Sequence, residues 1–312
     1  MIPMRRIWER IGTVQTARHV PTQAGVSKLV EAEKAVRENE NSRTATQKLF
    51  HLYFLAGQLD QASQVAERWS QKEAMDADAL TARADLAASQ GHRDEAIRIL
   101  GSVVDVRPGA VPAQRRLARL HRWAGRAALG CRHAIAIAQL RENDAELLSE
   151  AVSCARQTGE SALGSDMLSA ADDKVRQAAQ AALDNNKTDE ADKLSGEIQL
   201  EATWQGGQHD LDLALLHPDG HRVSWLGAPT KAVITATDVK STSHEGLALR
   251  GSKAGEYVIE IVRASGNGPV KGELVVRAAG ATRKIPFDLT ADQTRVALGL
   301  VNIRWQARLV PM

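Results

Sequence analysis

Four glycines stand at one fixed interval, Gly57, Gly91, Gly125 and Gly159, each 34 residues after the last. Five residues beyond each comes a small residue, in order Ala62, Ala96, Gly130 and Gly164, where a larger side chain would hold two helices apart. The four copies read LAGQLDQA, SQGHRDEA, WAGRAALG and QTGESALG. Self-similarity at a fixed period marks a supersecondary unit that buries its apolar face against its own neighbours. It confines more than a third of the chain to stacked helix pairs before any other property is consulted.

The rest of the pattern agrees and then changes. From about residue 27 to 194, apolar residues recur every three or four positions in sequence rich in Ala, Leu, Glu, Arg and Gln, which predicts amphipathic helices. From Gly196 onward the period becomes two, in GEIQLEATW, LDLALL, AVITAT, EYVIEIV and GELVVRA, divided by Gly, Pro and Asp turns. The fold class expected is α+β and multidomain: an all-α helical solenoid followed by an all-β antiparallel sandwich of eight or nine strands. The expected bounds are a strand-like or irregular segment over 1–26, helical repeats over 27–194, the β-sandwich over 195–304 and a tail over 305–312. A half-repeat in VSKLVEAEKAVRENE and a shortened last pair in VRQAAQAALDNNKTDEADKLS, turning at Asn186, would cap the stack.

The period and pattern resemble the tetratricopeptide repeat over roughly residues 43–176. Leu49 and Tyr53 are kept in the first copy, Arg83 and Ala87 stand at those places in the second, and only the second closes on a proline, Pro108. The resemblance implies that the first helix of each pair lines a concave face holding an extended peptide or a partner's helix. Helical spacing then names the groove residues: Arg115, Arg119, Arg122 and Trp123 in the third copy, with His51, Phe54, Asp85 and Arg156 from the others.

Charge sharpens the expectation by region. The whole chain is nearly neutral, 40 basic against 38 acidic residues, yet Val106 to Arg141 carries eight arginines and no acid. Guanidinium forks match carboxylates, so an acidic peptide or chain terminus is the expected partner. The competing reading pairs these arginines with acids of adjacent helices or leaves them as a solvated face. Nucleic acid is disfavoured, because only 4% of residues are aromatic and single strands need stacking platforms.

In the second half, TWQGGQHDLDLALLHPDGHRVSW and the later GSKAGEYVIEIV are similar to a β-sandwich family of unknown function (DUF2135) that often ends bacterial cell-envelope proteins. The shared elements are a D-x-D-L strand before a P-x-G turn, and a G-x-Y strand, here Gly255 and Tyr257. Alternation puts Leu211, Leu213 and Leu215 on one face and Asp210, Asp212 and Ala214 on the other. Asp210, Asp212 and Asp219 offer oxygen ligands for calcium, against the reading that they are edge-strand and turn residues. A sandwich binding carbohydrate or calcium, positioned by the helices, is the alternative to an interaction scaffold.

No catalytic motif is present: no G-x-S-x-G elbow, Walker loop, H-E-x-x-H or dinucleotide glycine pattern. Of the nine histidines only His209, His217 and His221 group locally, without a nucleophile, and Ser243, His244 and Glu245 are adjacent along one strand, the wrong geometry for a triad. No enzyme, cofactor or metal is expected. The two cysteines, Cys131 and Cys154, are read as buried inert thiols, a bridge between them requiring helix faces in register. No run reaches the ~18 apolar residues of a membrane span, and MIPMRRIWERIG lacks the apolar core of a signal peptide. A cytoplasmic chain is expected if this is the whole protein, and a bacterial periplasmic or cell-surface one if it belongs to a longer envelope protein.

Overall fold

The computed structural model describes residues 4–16, 23–123, 126–185, 194–205, 208–227, 233–237 and 241–311. Strand β1 (Met4–Gln15) precedes helices α1 (Gln23–Glu38), α2 (Arg43–Leu55), α3 (Leu59–Lys72), α4 (Ala77–Ser89), α5 (Arg93–Val106), α6 (Val111–Trp123), α7 (Ala127–Leu140), α8 (Ala145–Gln157), α9 (Ser161–Ala170) and α10 (Asp173–Asn185). Strands β2 (Ile198–Trp204), β3 (Asp210–Leu216), β4 (Arg222–Ser224), β5 (Val233–Thr237), β6 (His244–Arg250), β7 (Gly255–Ser265), β8 (Val270–Ala278), β9 (Ala281–Leu289) and β10 (Arg295–Pro311) follow. The chain is α+β, with its sheets antiparallel.

The repeat is a repeat of geometry. First helices α2, α4, α6 and α8 begin at residues 43, 77, 111 and 145, and second helices α3, α5, α7 and α9 at 59, 93, 127 and 161, each 34 residues on. Every first helix closes alike: the amide after the repeat glycine donates to the carbonyl five residues back. The bonds are Gln58 to Tyr53, His92 to Ala87, Arg126 to His121 and Glu160 to Ala155, at 2.9, 2.8, 2.7 and 2.8 Å. This Schellman closure requires a left-handed residue at the glycine position. Gly57, Gly91 and Gly159 supply it with φ of +73°, +81° and +85°; Gly125 lies outside the described residues.

Two further positions share the period. Ala62 and Ala96 are fully buried, and a Cβ on Gly164 would stand 3.4 Å from Val152 of α8, so the small residues set the approach between helices. The N-caps also fall 34 apart: the side chains of Ser42, Asp76 and Asp144 accept first-turn amides, and Ala110 interrupts the series in the third copy. Helix α1 is the expected half-repeat. Its Leu29 and Ala32 pack on Leu49, and its Glu33 accepts from the Tyr53 hydroxyl at 2.7 Å. At the other end Ala179 of α10 packs on Leu148 and Val152; the turn expected at Asn186 lies outside the described residues.

The cysteines correct the expectation of inert thiols. Cys131 of α7 and Cys154 of α8 form a disulfide, with Cα atoms 5.4 Å apart. Helix α7, the second of its copy, packs on α8, the first of the next, and the two buried cysteines meet on that contact.

Two compact units result: Met1–Ala74, Asp85–Arg93 and Leu194–Met312 in one, Met75–Ala84 and Asp94–Lys193 in the other. The first unit holds two five-stranded sheets, of order β1-β10-β7-β3-β4 and β5-β6-β2-β8-β9. The strand-like N-terminal segment is β1, which pairs with β10 from Met4↔Pro311 to Gln15↔Leu300. Residues 305–311, expected as a tail, are therefore strand; a pairing between opposite ends of a chain leaves no local trace in sequence.

Strand β3 alternates as read, with Leu211, Leu213 and Leu215 fully buried. Its other face departs from the edge-strand expectation. β3 lies between β7 and β4, and Asp212 and Ala214 are fully buried as well. The P-x-G and G-x-Y motifs meet in space: a Cβ on Gly255 would come within 2.5 Å of the Pro218 ring, and the Tyr257 ring stands edge-on to His217. The Tyr257 hydroxyl accepts from the Lys253 amide at 2.8 Å and donates to its carbonyl at 3.0 Å, which fixes the start of β7.

Candidate partner-binding surfaces

The eight groove residues divide between the two units. In the second unit Arg115 of α6 donates to Glu150 of α8 at 3.1 Å and lies 3.7 Å from Glu146, so it is paired across adjacent first helices. Arg119, one turn on from Arg115, is half-buried, and Arg156 on α8 is exposed. Arg122 and Trp123 are helical, and their side chains lie outside the described residues.

His51, Phe54 and Asp85 belong to the first unit, where they face the chain's own strands. The His51 ring lies 3.9 Å from that of His221, centroid to centroid. Phe54 is 1% exposed beneath the Arg295 guanidinium. Asp85 is buried and within electrostatic reach of Arg222. Backbone approaches this seam closely too. A Cβ on Gly220, in the β3–β4 turn, would come 2.4 Å from the His51 carbonyl, and one on Gly91 would come 2.4 Å from the Arg263 carbonyl. Glycine is required at both places by space, and at both by positive φ.

The sheet face at this seam is charged and buried. The sheet pairings put Asp212, Glu260, Arg222 and Arg295 on one face. Arg93 donates to both carboxylate oxygens of Asp210, at 2.8 and 3.2 Å, and also to Asp212, with Trp225 5.4 Å from its guanidinium. Arg295 donates to Glu260. The Arg222 guanidinium is fully buried with no hydrogen-bond partner among the described residues; Glu260, Asp85 and Asp212 oppose by charge the downward pull of burial on it. Burial, then the neighbouring Asp212, pushes the Glu245 carboxyl well above the usual range, against the Leu213 backbone bond and the Arg93 charge.

The other sequence candidates fall apart or regroup. Asp210 and Asp212 are bound by Arg93 at one end of β3, while Asp219 sits beyond its other end. Among the described residues no three His, Cys, Asp or Glu side chains converge to hold a metal ion. His217 and His221 share Asp219 Oδ1, at 2.6 and 2.7 Å, and the third histidine beside them is His51 of α2, not His209. His209 instead accepts from the Trp204 indole through its backbone carbonyl. Burial opposes ionisation of Asp219, but bonds from His217 and His221 hold its carboxyl below the usual range.

No family model matches the chain, and no curated protein does. Among solved structures it is similar to a crystal structure of MamA, at 11% identity over 53% of this chain and 98% of that one, TM-score 0.37. It is also similar to TTC0263, a thermophilic TPR protein of Thermus thermophilus, at 15% identity over 53% of this chain and 92% of that one, TM-score 0.32. A chain of the Naa15/Naa10 structure bound to HypK-THB matches at 15% identity over 47% of this chain and 22% of that one, TM-score 0.41. Likenesses of this degree add nothing to the repeat geometry above.

Proposed function

We propose that the chain is a non-enzymatic protein–protein interaction scaffold: tetratricopeptide-like helical repeats joined to a β-sandwich that also takes in β1 and the whole of β10. The groove is Arg115, Arg119, Arg122, Trp123 and Arg156, and its ligand is a protein segment of acidic character. One observation supports this most. At the 34-residue period, Arg119 takes the position of His51 and Asp85, and Arg122 and Arg156 take that of Phe54. Of the four equivalent places in the later two copies, three are thus arginine and the fourth is Ser153.

His51, Phe54 and Asp85 serve an internal ligand, and the arginine positions serve an external one. Guanidinium–carboxylate pairs are charge-assisted and bidentate, and at exposed or half-buried positions each contributes about 1 kcal/mol or less. The experiment is titration of the full chain with a labelled oligoglutamate peptide. Changing Arg119, Arg122 and Arg156 to Glu should together weaken binding at least about tenfold, with the thermal melt recorded as a folding control. Unchanged affinity in folded variants sinks the proposal.

A further inference from the structure

Strands β1 and β10 continue past the sheet that anchors them. Pairing of β10 with β7 ends at Ile303↔Gly255, whereas pairing with β1 runs on to Met4↔Pro311. Residues 4–11 and 304–311 are thus a two-stranded ribbon with no third strand among the described residues. Such ribbons are marginal in water and gain from a further strand.

The direction of the backbone groups along β1 can be read from two contacts. The Gly12 amide donates to the Ala279 carbonyl at 3.1 Å, and the Val14 carbonyl accepts from Arg283. Both point away from β10. Strand alternation places the amides and carbonyls of Arg6, Trp8 and Arg10 on the same outer edge. At Gly12 and Val14 that edge is capped; among the described residues nothing bonds it at Arg6, Trp8 or Arg10. Natural sheets cover or blunt such edges, and no described residue covers this one over the stretch where Trp8 is 61% exposed.

Charge says what fits. The ribbon carries Arg5, Arg6, Arg10, Arg304 and Arg308 against Glu9, which lies 3.9 Å from Arg308, and Arg10 also pairs with Glu197 at 3.1 Å, so basic groups remain in excess. Trp305, 52% exposed, lies under the Arg10 guanidinium on the face that Trp8 shares. A second copy pairing edge to edge would set these arginines against their own counterparts, and like charges directly opposite are destabilising. An extended segment with alternating acidic residues turns its carboxylates to the face that Arg6 and Arg10 share while its backbone completes the edge.

We propose that the outer edge of β1 at Arg6, Trp8 and Arg10 binds an acidic extended segment of a partner protein by strand addition. This site is independent of the helical groove. The test uses the full chain and an N-acetylated peptide of alternating Glu and Val, about ten residues long to match a strand, followed by fluorescence anisotropy and amide hydrogen exchange. Bound peptide should protect the amides of Arg6, Trp8 and Arg10, while those of Ile7 and Glu9, already turned toward β10, change little. Arg6→Pro removes one outward amide at an edge position that tolerates proline, and should weaken binding about tenfold more than Arg6→Ala. Equal weakening by the two, equal binding of a Lys-Val peptide, or tighter capture by phosphatidylserine vesicles without amide protection each overturns it.

Discussion

His51 shows how a single side chain ties sequence to a measurable property. Burial first, and the neighbouring His221 second, push its imidazole down to about 3, against a smaller upward pull from Asp219. A base with a depressed folded pKa takes up its proton more readily when unfolded. Its contribution is therefore complete above the unfolded pKa of about 6.5 and is lost as pH falls from there toward 3. The slope reaches about 1.4 kcal/mol per pH unit. Asp219 loses its own contribution only below the unfolded carboxylate value of about 3.9. Asp212, pushed up to about 6 by burial, titrates in the same way in the native chain and in a His51 variant, so the difference between them reads His51 over pH 6 to 4. In denaturant titrations, the stability gap between the native chain and His51→Gln should shrink steadily as pH falls through that window. Parallel curves would show that His51 is not held neutral. Helical spacing placed His51 on a face read as a partner groove, and that face meets the chain's own His221. What it touches was not legible, because His221 lies 170 residues away and nothing local pairs them.

At the scale of elements, equivalent glycines in consecutive repeats make a controlled comparison. Gly57 and Gly91 close their helices with the same bond and similar φ, yet a Cβ on Gly57 meets nothing within 4 Å and one on Gly91 comes 2.4 Å from the Arg263 carbonyl. Gly57→Ala should cost about 1–2 kcal/mol, the left-handed strain alone. Gly91→Ala carries that strain and must also displace β7, so its loss should be larger by about 1 kcal/mol or more, on the order of an overpacked contact. Matched losses in chemical unfolding would mean that the sheet yields freely at this point. The repeat was legible because a turn glycine and a small spacer recur at one interval. The charged face of β3 was misread because D-x-D alternation looks the same facing water as facing Arg93. Fully buried aspartates are uncommon unless paired, so a helix-borne arginine as partner cannot be anticipated from the strand alone.

For the whole molecule, the disulfide and the charged seam lie in different units, which makes them separable handles on stability. Cys131 and Cys154 enclose a 23-residue separation across α7 and α8, entirely within the second unit. Opening a loop of that size restores about 3 kcal/mol of chain entropy to the unfolded state. The signal for the bridge was present in the period. Cys131 follows the spacer Gly130 on a second helix, and Cys154 stands five residues before Gly159 on the next first helix, positions that adjacent copies bring together. Each cysteine taken alone reads as a small buried hydrophobe; only the repeat register pairs them. Disulfides persist in oxidising compartments, so thiol alkylation of the chain as made in its native host should leave both cysteines unmodified until a reductant is added. With reductant, hydrogen exchange should quicken in α7 and α8 and stay unchanged in β3 and β7. Faster exchange throughout would mean that the units unfold as one. Ready alkylation without reductant would mean that the thiols are free in the cell.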